Sequence, residues 1–127
     1  MSEQFEVTEA DMDGRRRGDE IDLHALEPDP VENWQRRFEA IPAALNRVVA
    51  KKVSKDYPPG VSLVIYLNLG CYGAYTAEGL PIISESTSAA RAKFRSVFVM
   101  WEGVLYKFWE GGKPATERWP IAQPDDF

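Results

Sequence analysis

The run Val61-Ser62-Leu63-Val64-Ile65-Tyr66-Leu67-Asn68 (VSLVIYLN, residues 61–68) decides the fold class. It is apolar at both parities, and Pro58-Pro59-Gly60 bounds it upstream. Such a run reads as a central strand covered on both sides. Upstream of the prolines, Asp29 suits a helix cap, Pro30 the first helical position, and Glu32 the capping-box position three residues on. Trp34, Phe38, Ile41, Leu45, Val48 and Val49 then recur at spacings of three and four. This stripe predicts a long helix from Val31 to Lys55, kinked or split by Pro42. Further upstream, Gln4 to Glu9 alternates Phe5 and Val7 with Glu6 and Thr8. That period predicts a half-buried strand with one apolar and one polar face.

Downstream, Ser96 to Trp101 and Val104 to Trp109 flank the dipeptide Glu102-Gly103, the pattern of a tight β-hairpin. Residues 70–85 show no period, and Ser86 to Phe94 has the composition of a short helix. The expected architecture is one α/β domain over residues 1–127. Its mixed sheet of about four strands packs against one long, kinked helix and ends in a C-terminal β-hairpin. Residues 10–28, acidic and arginine-rich with Gly14 and Gly18, read as an irregular loop. Residues 110–127 read as an extended tail docked by Trp119 and Ile121.

Composition narrows the classes of function. A chain of 127 residues with 44% hydrophobic content supports one core and not two. Fifteen Lys and Arg against 20 Asp and Glu give a net charge of -5, which disfavours strong non-specific binding to nucleic acid or anionic membrane. The charge is uneven: the first 30 residues hold 10 acids and three bases, and residues 31–60 hold three acids and six bases. The single cysteine, Cys71, allows no intramolecular disulfide and no multi-cysteine zinc site, as expected in a reducing compartment. No leader pattern and no apolar run of roughly 18 residues is present, so a cytoplasmic location is expected.

Several side chains are candidates for chemistry. Glu6 and Glu9, followed by Asp11 and Asp13, form an acidic group able to hold a hard cation such as magnesium; the plainer alternative is a solvated acidic edge. Asp11-Met12-Asp13-Gly14 opens like a calcium loop but lacks the later ligands of an EF-hand. Lys52 falls at the helical angle of Trp34 and within about 40 degrees of Phe38, Ile41, Leu45 and Val48, on the apolar stripe. Either its stem snorkels to water, or its ammonium serves a site at the sheet edge. Arg15, Arg16 and Arg17, with Lys51 and Lys55, offer a phosphate-contacting rim, against the alternative of salt bridges to nearby acids. His24 has no triad partner in a recognisable motif, and Gly70-Cys71-Tyr72-Gly73 lacks the phosphate-loop pattern. Cys71 reads as a buried structural thiol.

The order of strand, long helix and apolar strand, with FEVTEAD leading and AKKVSKDYPPGVSLVIYLN in the middle, resembles the second half of a restriction-endonuclease-like domain of the PD-(D/E)xK superfamily. The resemblance spans Gln4 to Leu69. It implies that Glu6 is a metal ligand on the motif strand and that Lys52 replaces, from the helix, the lysine whose place Thr8 occupies. The strand that carries the family's metal-binding aspartate has no counterpart before Met1. A non-catalytic member acting through self-association, as a homodimer, or through a protein partner is the leading expectation. One alternative is a magnesium-dependent nuclease with Glu6, Glu9 and Lys52 as its catalytic residues and nucleic acid held by the basic rim. A further alternative is a small-ligand binder lined by Tyr72 and Tyr75.

Overall fold

The computed structural model describes residues 4–11, 31–71 and 73–121. Their elements run β1 (Gln4–Ala10), α1 (Val31–Val53), β2 (Val61–Leu67), α2 (Thr76–Ser86), a 3-10 helix (Ser88–Ala92), β3 (Ser96–Trp101), β4 (Val104–Glu110), β5 (Lys113–Pro114) and β6 (Arg118–Pro120). One mixed sheet has the order β1-β2-β3-β4-β5, with β6 also paired to β4. β1, β2 and β3 are parallel, which requires crossovers between them, and α1 and α2 lie in those crossovers. β3 and β4 form an antiparallel hairpin through Glu102-Gly103. Both turn residues have positive φ, 54° and 77°, the backbone that a two-residue hairpin turn demands.

The expected sheet of about four strands on one long helix is corrected on two counts: the sheet has six strands, and the helical layer consists of α1, α2 and a 3-10 helix. β5 and β6 are two and three residues long, too short to print a period on the tail sequence. α2 arises in the stretch that read as aperiodic because Gly79 and Pro81 interrupt it. Gly79 is required there by packing, since a Cβ would lie 2.6 Å from Cη2 of Trp101. α1 carries Pro42 inside its span and ends two residues before Lys55. Asp29 and Pro30 lie outside the described residues, as do Arg15, Arg16, Arg17 and His24.

The core lies between the sheet and the helices. Ile41, Leu45 and Val49 of α1 and Ile83 of α2 pack with Leu63 and Ile65 of β2 and Val97, Val99 and Trp101 of β3. The indole N–H of Trp101 donates to the Leu69 carbonyl at 3.1 Å, so this large buried ring leaves no polar atom unmatched. Burial of this apolar surface contributes on the order of 25 cal/mol per Å². The opposite sheet face is less covered: Tyr66 is 44% exposed, and Val64, Phe98 and Met100 are partly exposed. On this same face Ser62 is buried, so the second side of β2 is covered at its start and exposed only at Tyr66.

Candidate functional site

Among the described residues β1 is the edge strand of the sheet, and all seven of its residues, Gln4 through Ala10, register with β2. Alternation fixes its two faces. Ala10 is fully buried, and Glu6 meets Lys52 of α1, so the even positions face the helices. Phe5 and Val7 therefore face the open side, and they are 49% and 65% exposed. The strand alternates as the sequence indicates, but Phe5 and Val7 point out and Glu6 points in.

Glu6 and Lys52 explain one another. The Lys52 ammonium donates to Glu6 Oε1 at 2.6 Å, with the two side chains 11% and 30% exposed. The lysine on the apolar stripe of α1 thus reaches a carboxylate on the inward face of β1, and neither charge is left alone in a poorly solvated place. Of the three candidate catalytic residues, the fold brings these two together.

Glu9 occupies the opposite parity and lies on the open face. There Asn68 Nδ2 donates to Glu9 Oε2 and to Asp11 Oδ2, each at 3.1 Å. The Asp11 carbonyl accepts from Arg47 at 2.7 Å, which ties the end of β1 to α1. Glu6 and Glu9 are thus separated by the sheet. No group of three or more His, Cys, Asp or Glu residues among the described residues is placed to hold a metal ion. Of the proposed basic rim, Lys51 and Lys55 are exposed near the end of α1.

Tyr75 stacks on Phe38 with ring centroids 4.5 Å apart, as part of the packing. Cys71 is fully buried, with Sγ 3.4 Å from the Trp34 carbonyl. Its backbone N–H donates to Glu102 Oε1 at 2.7 Å, which fastens the hairpin turn to the loop after β2. No helix among the described residues is long and apolar enough to cross a membrane.

The open face continues from β1 across the sheet. Phe5 lies 6.4 Å from Phe98, and Phe98 lies 6.3 Å from Trp119 of β6, measured between ring centroids. Lys107 of β4 places its ammonium 5.4 Å from the Phe98 ring and 5.6 Å from the Trp119 ring. Asn68, Lys107 and Trp119 were not singled out as site residues in the sequence. Lys107 and Trp119 meet only through the β4–β6 pairing, which leaves no spacing signal. Comparison with family models, curated proteins and solved structures finds no match for this chain.

Proposed function

We propose that this chain is a non-catalytic, restriction-endonuclease-like domain that works by association, its β1 edge accepting an extended strand from another chain. The supporting observation is the strand's orientation: Phe5 and Val7, on the strand that ends the sheet among the described residues, are exposed while Glu6 is turned inward onto Lys52. A strand edge with unpaired backbone groups beside apolar side chains is a template for β-augmentation. Main-chain bonds then supply affinity, and alternate side chains supply selectivity.

The edge reading is tested by hydrogen exchange at the Phe5 and Val7 amides, first as protein concentration rises and then as a peptide of sequence QFEVTEA is added. Protection under either condition supports an edge that takes a strand. Fast exchange at both amides throughout removes the reading.

The metal-nuclease alternative draws support from the Glu6–Lys52 contact alone. Magnesium- or manganese-dependent cleavage of DNA and RNA, compared across Glu6→Ala and Lys52→Ala, tests it. The expected outcome is no cleavage above the variants, because Glu6 already accepts the lysine and Glu9 lies across the sheet from it.

A further inference from the structure

The turn between β3 and β4 holds a residue that the turn itself does not call for. Glu102 stands at φ 54°, and Gly103 follows at 77°. In that left-handed region a Cβ crowds the following carbonyl, so a two-residue turn of this kind favours Asn, Asp or Gly. A glutamate there is strained, and such a residue persists only where its surroundings hold it. What glutamate offers over the shorter residues is reach.

The reach is used by both carboxylate oxygens. The Cys71 backbone N–H, 31 residues earlier in the chain, donates to Oε1 at 2.7 Å. The hydroxyl of Thr76, which opens α2, lies 3.5 Å from Oε2 and 3.2 Å from the Gly73 carbonyl. Gly73 itself passes so near that a Cβ on it would sit 3.9 Å from Oε2. One side chain thus spans the loop from Cys71 to Thr76. Its bond to the Cys71 N–H is charge-assisted, roughly twice as strong as a neutral one. The flanks are held by other groups: Trp101 donates to the Leu69 carbonyl at 3.1 Å, Arg37 Nε to the Gly70 carbonyl at 2.6 Å, and Tyr75 stacks on Phe38.

We infer that Glu102 is a latch on this loop. With the carboxylate engaged, the stretch from Cys71 to Thr76 is shut against the hairpin turn. On its release that stretch opens as a local unit, while the sheet and helices stay folded. Two features make the opening local. The core does not run through the latch, since Leu69 stays tied to the buried Trp101 indole. Releasing the carboxylate also breaks no rung of the β3–β4 ladder, whose last pair is Trp101 with Val104. Cys71 reports the event: it is fully buried in the closed form, with Sγ 3.4 Å from the Trp34 carbonyl and 3.5 Å from that of Leu69. The inference is independent of the β1 edge and of what the chain associates with.

The test is alkylation of Cys71, the chain's one cysteine, by iodoacetamide in the full chain without denaturant, with the rate read by mass. Two variants separate reach from charge and strain. Glu102→Asp keeps the charge and suits the left-handed turn but falls short of Cys71. Glu102→Gly removes side chain and strain together. Each is expected to raise the alkylation rate about tenfold while the urea midpoint stays at that of the unaltered chain. Glu102→Gln keeps the reach and an acceptor oxygen but loses the charge, and it is expected to raise the rate about threefold.

Alkylation at the unaltered rate in the Asp and Gly variants overturns the latch. So does a rise matched by an equivalent fall in the urea midpoint, since Cys71 would then be reached by unfolding of the whole domain. A variant that fails to fold has the same meaning: the carboxylate would be holding the core and not a loop.

Discussion

The two ends of the sheet are built by opposite rules. At the β4 end, the chain returns twice to pair with its own edge: β5 contributes Lys113 and Pro114, and β6 contributes Arg118 and Pro120. Further backbone bonds bind this return, from Lys107 N–H to the Glu117 carbonyl and from Ile121 N–H to the Gly103 carbonyl. Short strands, prolines and cations are the standard ways in which an edge is closed to strangers. Among the described residues the β1 end has no proline and no covering strand, its cation Lys52 is turned inward onto Glu6, and it carries exposed Phe5 and Val7. Among the described residues, one edge of the sheet is thus covered by the chain's own return and the other is not.

The largest effect should come from making the ends alike. Ending the chain after Gly112 removes β5 and β6 and leaves β4 as a second receptive edge. Light scattering is expected to change from a discrete particle to a species that grows with concentration, with helical dichroism retained. A truncated chain of unchanged particle size would show that the tail does not serve as an edge guard. The comparison between the ends would then lose its meaning.

A change in the core between α2 and the sheet should affect stability without distinguishing the edges. Gly79→Ala drives a methyl group into Trp101, whose indole is fixed by the Leu69 carbonyl. Overpacking of this kind costs about 1–3 kcal/mol, readable as a lowered urea midpoint with an unchanged slope. Association per folded molecule should be the same as in the unaltered chain.

Lys52→Ala separates the inner from the outer side of β1. It leaves Glu6 on a half-buried face without its donor, at an expected cost of about 1–2 kcal/mol in chemical denaturation. Because the outward backbone of Phe5 and Val7 is untouched, the sedimentation behaviour of the folded protein should persist. Loss of association in this variant at full folding would mean that the anchor, and not the edge, controls assembly.

The sequence carried the parts of this structure that repeat and hid the parts that do not. The apolar recurrence from Trp34 to Val49 locates α1, and VSLVIYLN locates β2, because each extends over enough residues to show its period. α2 was invisible because Gly79 and Pro81, read locally, are helix breakers; only the nearby Trp101 ring makes the glycine necessary. The alternation in QFEVTE was legible, but alternation does not say which face is inward. That choice depends on Lys52, 46 residues later in the chain, reaching back to Glu6. The apparent misfit of a lysine on an apolar stripe was itself the available signal, since such a residue calls for a buried-side counter-charge. The Lys107–Trp119 cluster had no such signal, because strand pairing in the tail creates it.

The smallest effect sharpens the closed end by pH. Glu110 accepts from the Ser96 hydroxyl, and this bond is the main reason its carboxyl sits below the ordinary value of 4.5; it outweighs desolvation, with Lys107 and Arg95 adding to it. Lys107 is disfavoured by desolvation, but hydrogen bonds and charge from Glu117 and Glu110 outweigh that and raise it above 10.5. A carboxylate depressed on folding stabilises fully above its unfolded value, and the gain is lost as pH falls through the depressed one. A lysine raised on folding stabilises fully below its unfolded value and loses the gain only as pH rises through the raised one. The β4 end should therefore loosen below about pH 4.5 and again above about pH 10.5, with a flat plateau between. Glu110 is 38% exposed, so solvent screening holds the contribution below about 1 kcal/mol. Glu110→Gln should flatten the acid-side fall in exchange protection at the Lys107 amide and leave Phe5 and Val7 unaffected. Equal acid sensitivity at both ends in that variant would mean that the edge is closed by backbone pairing alone.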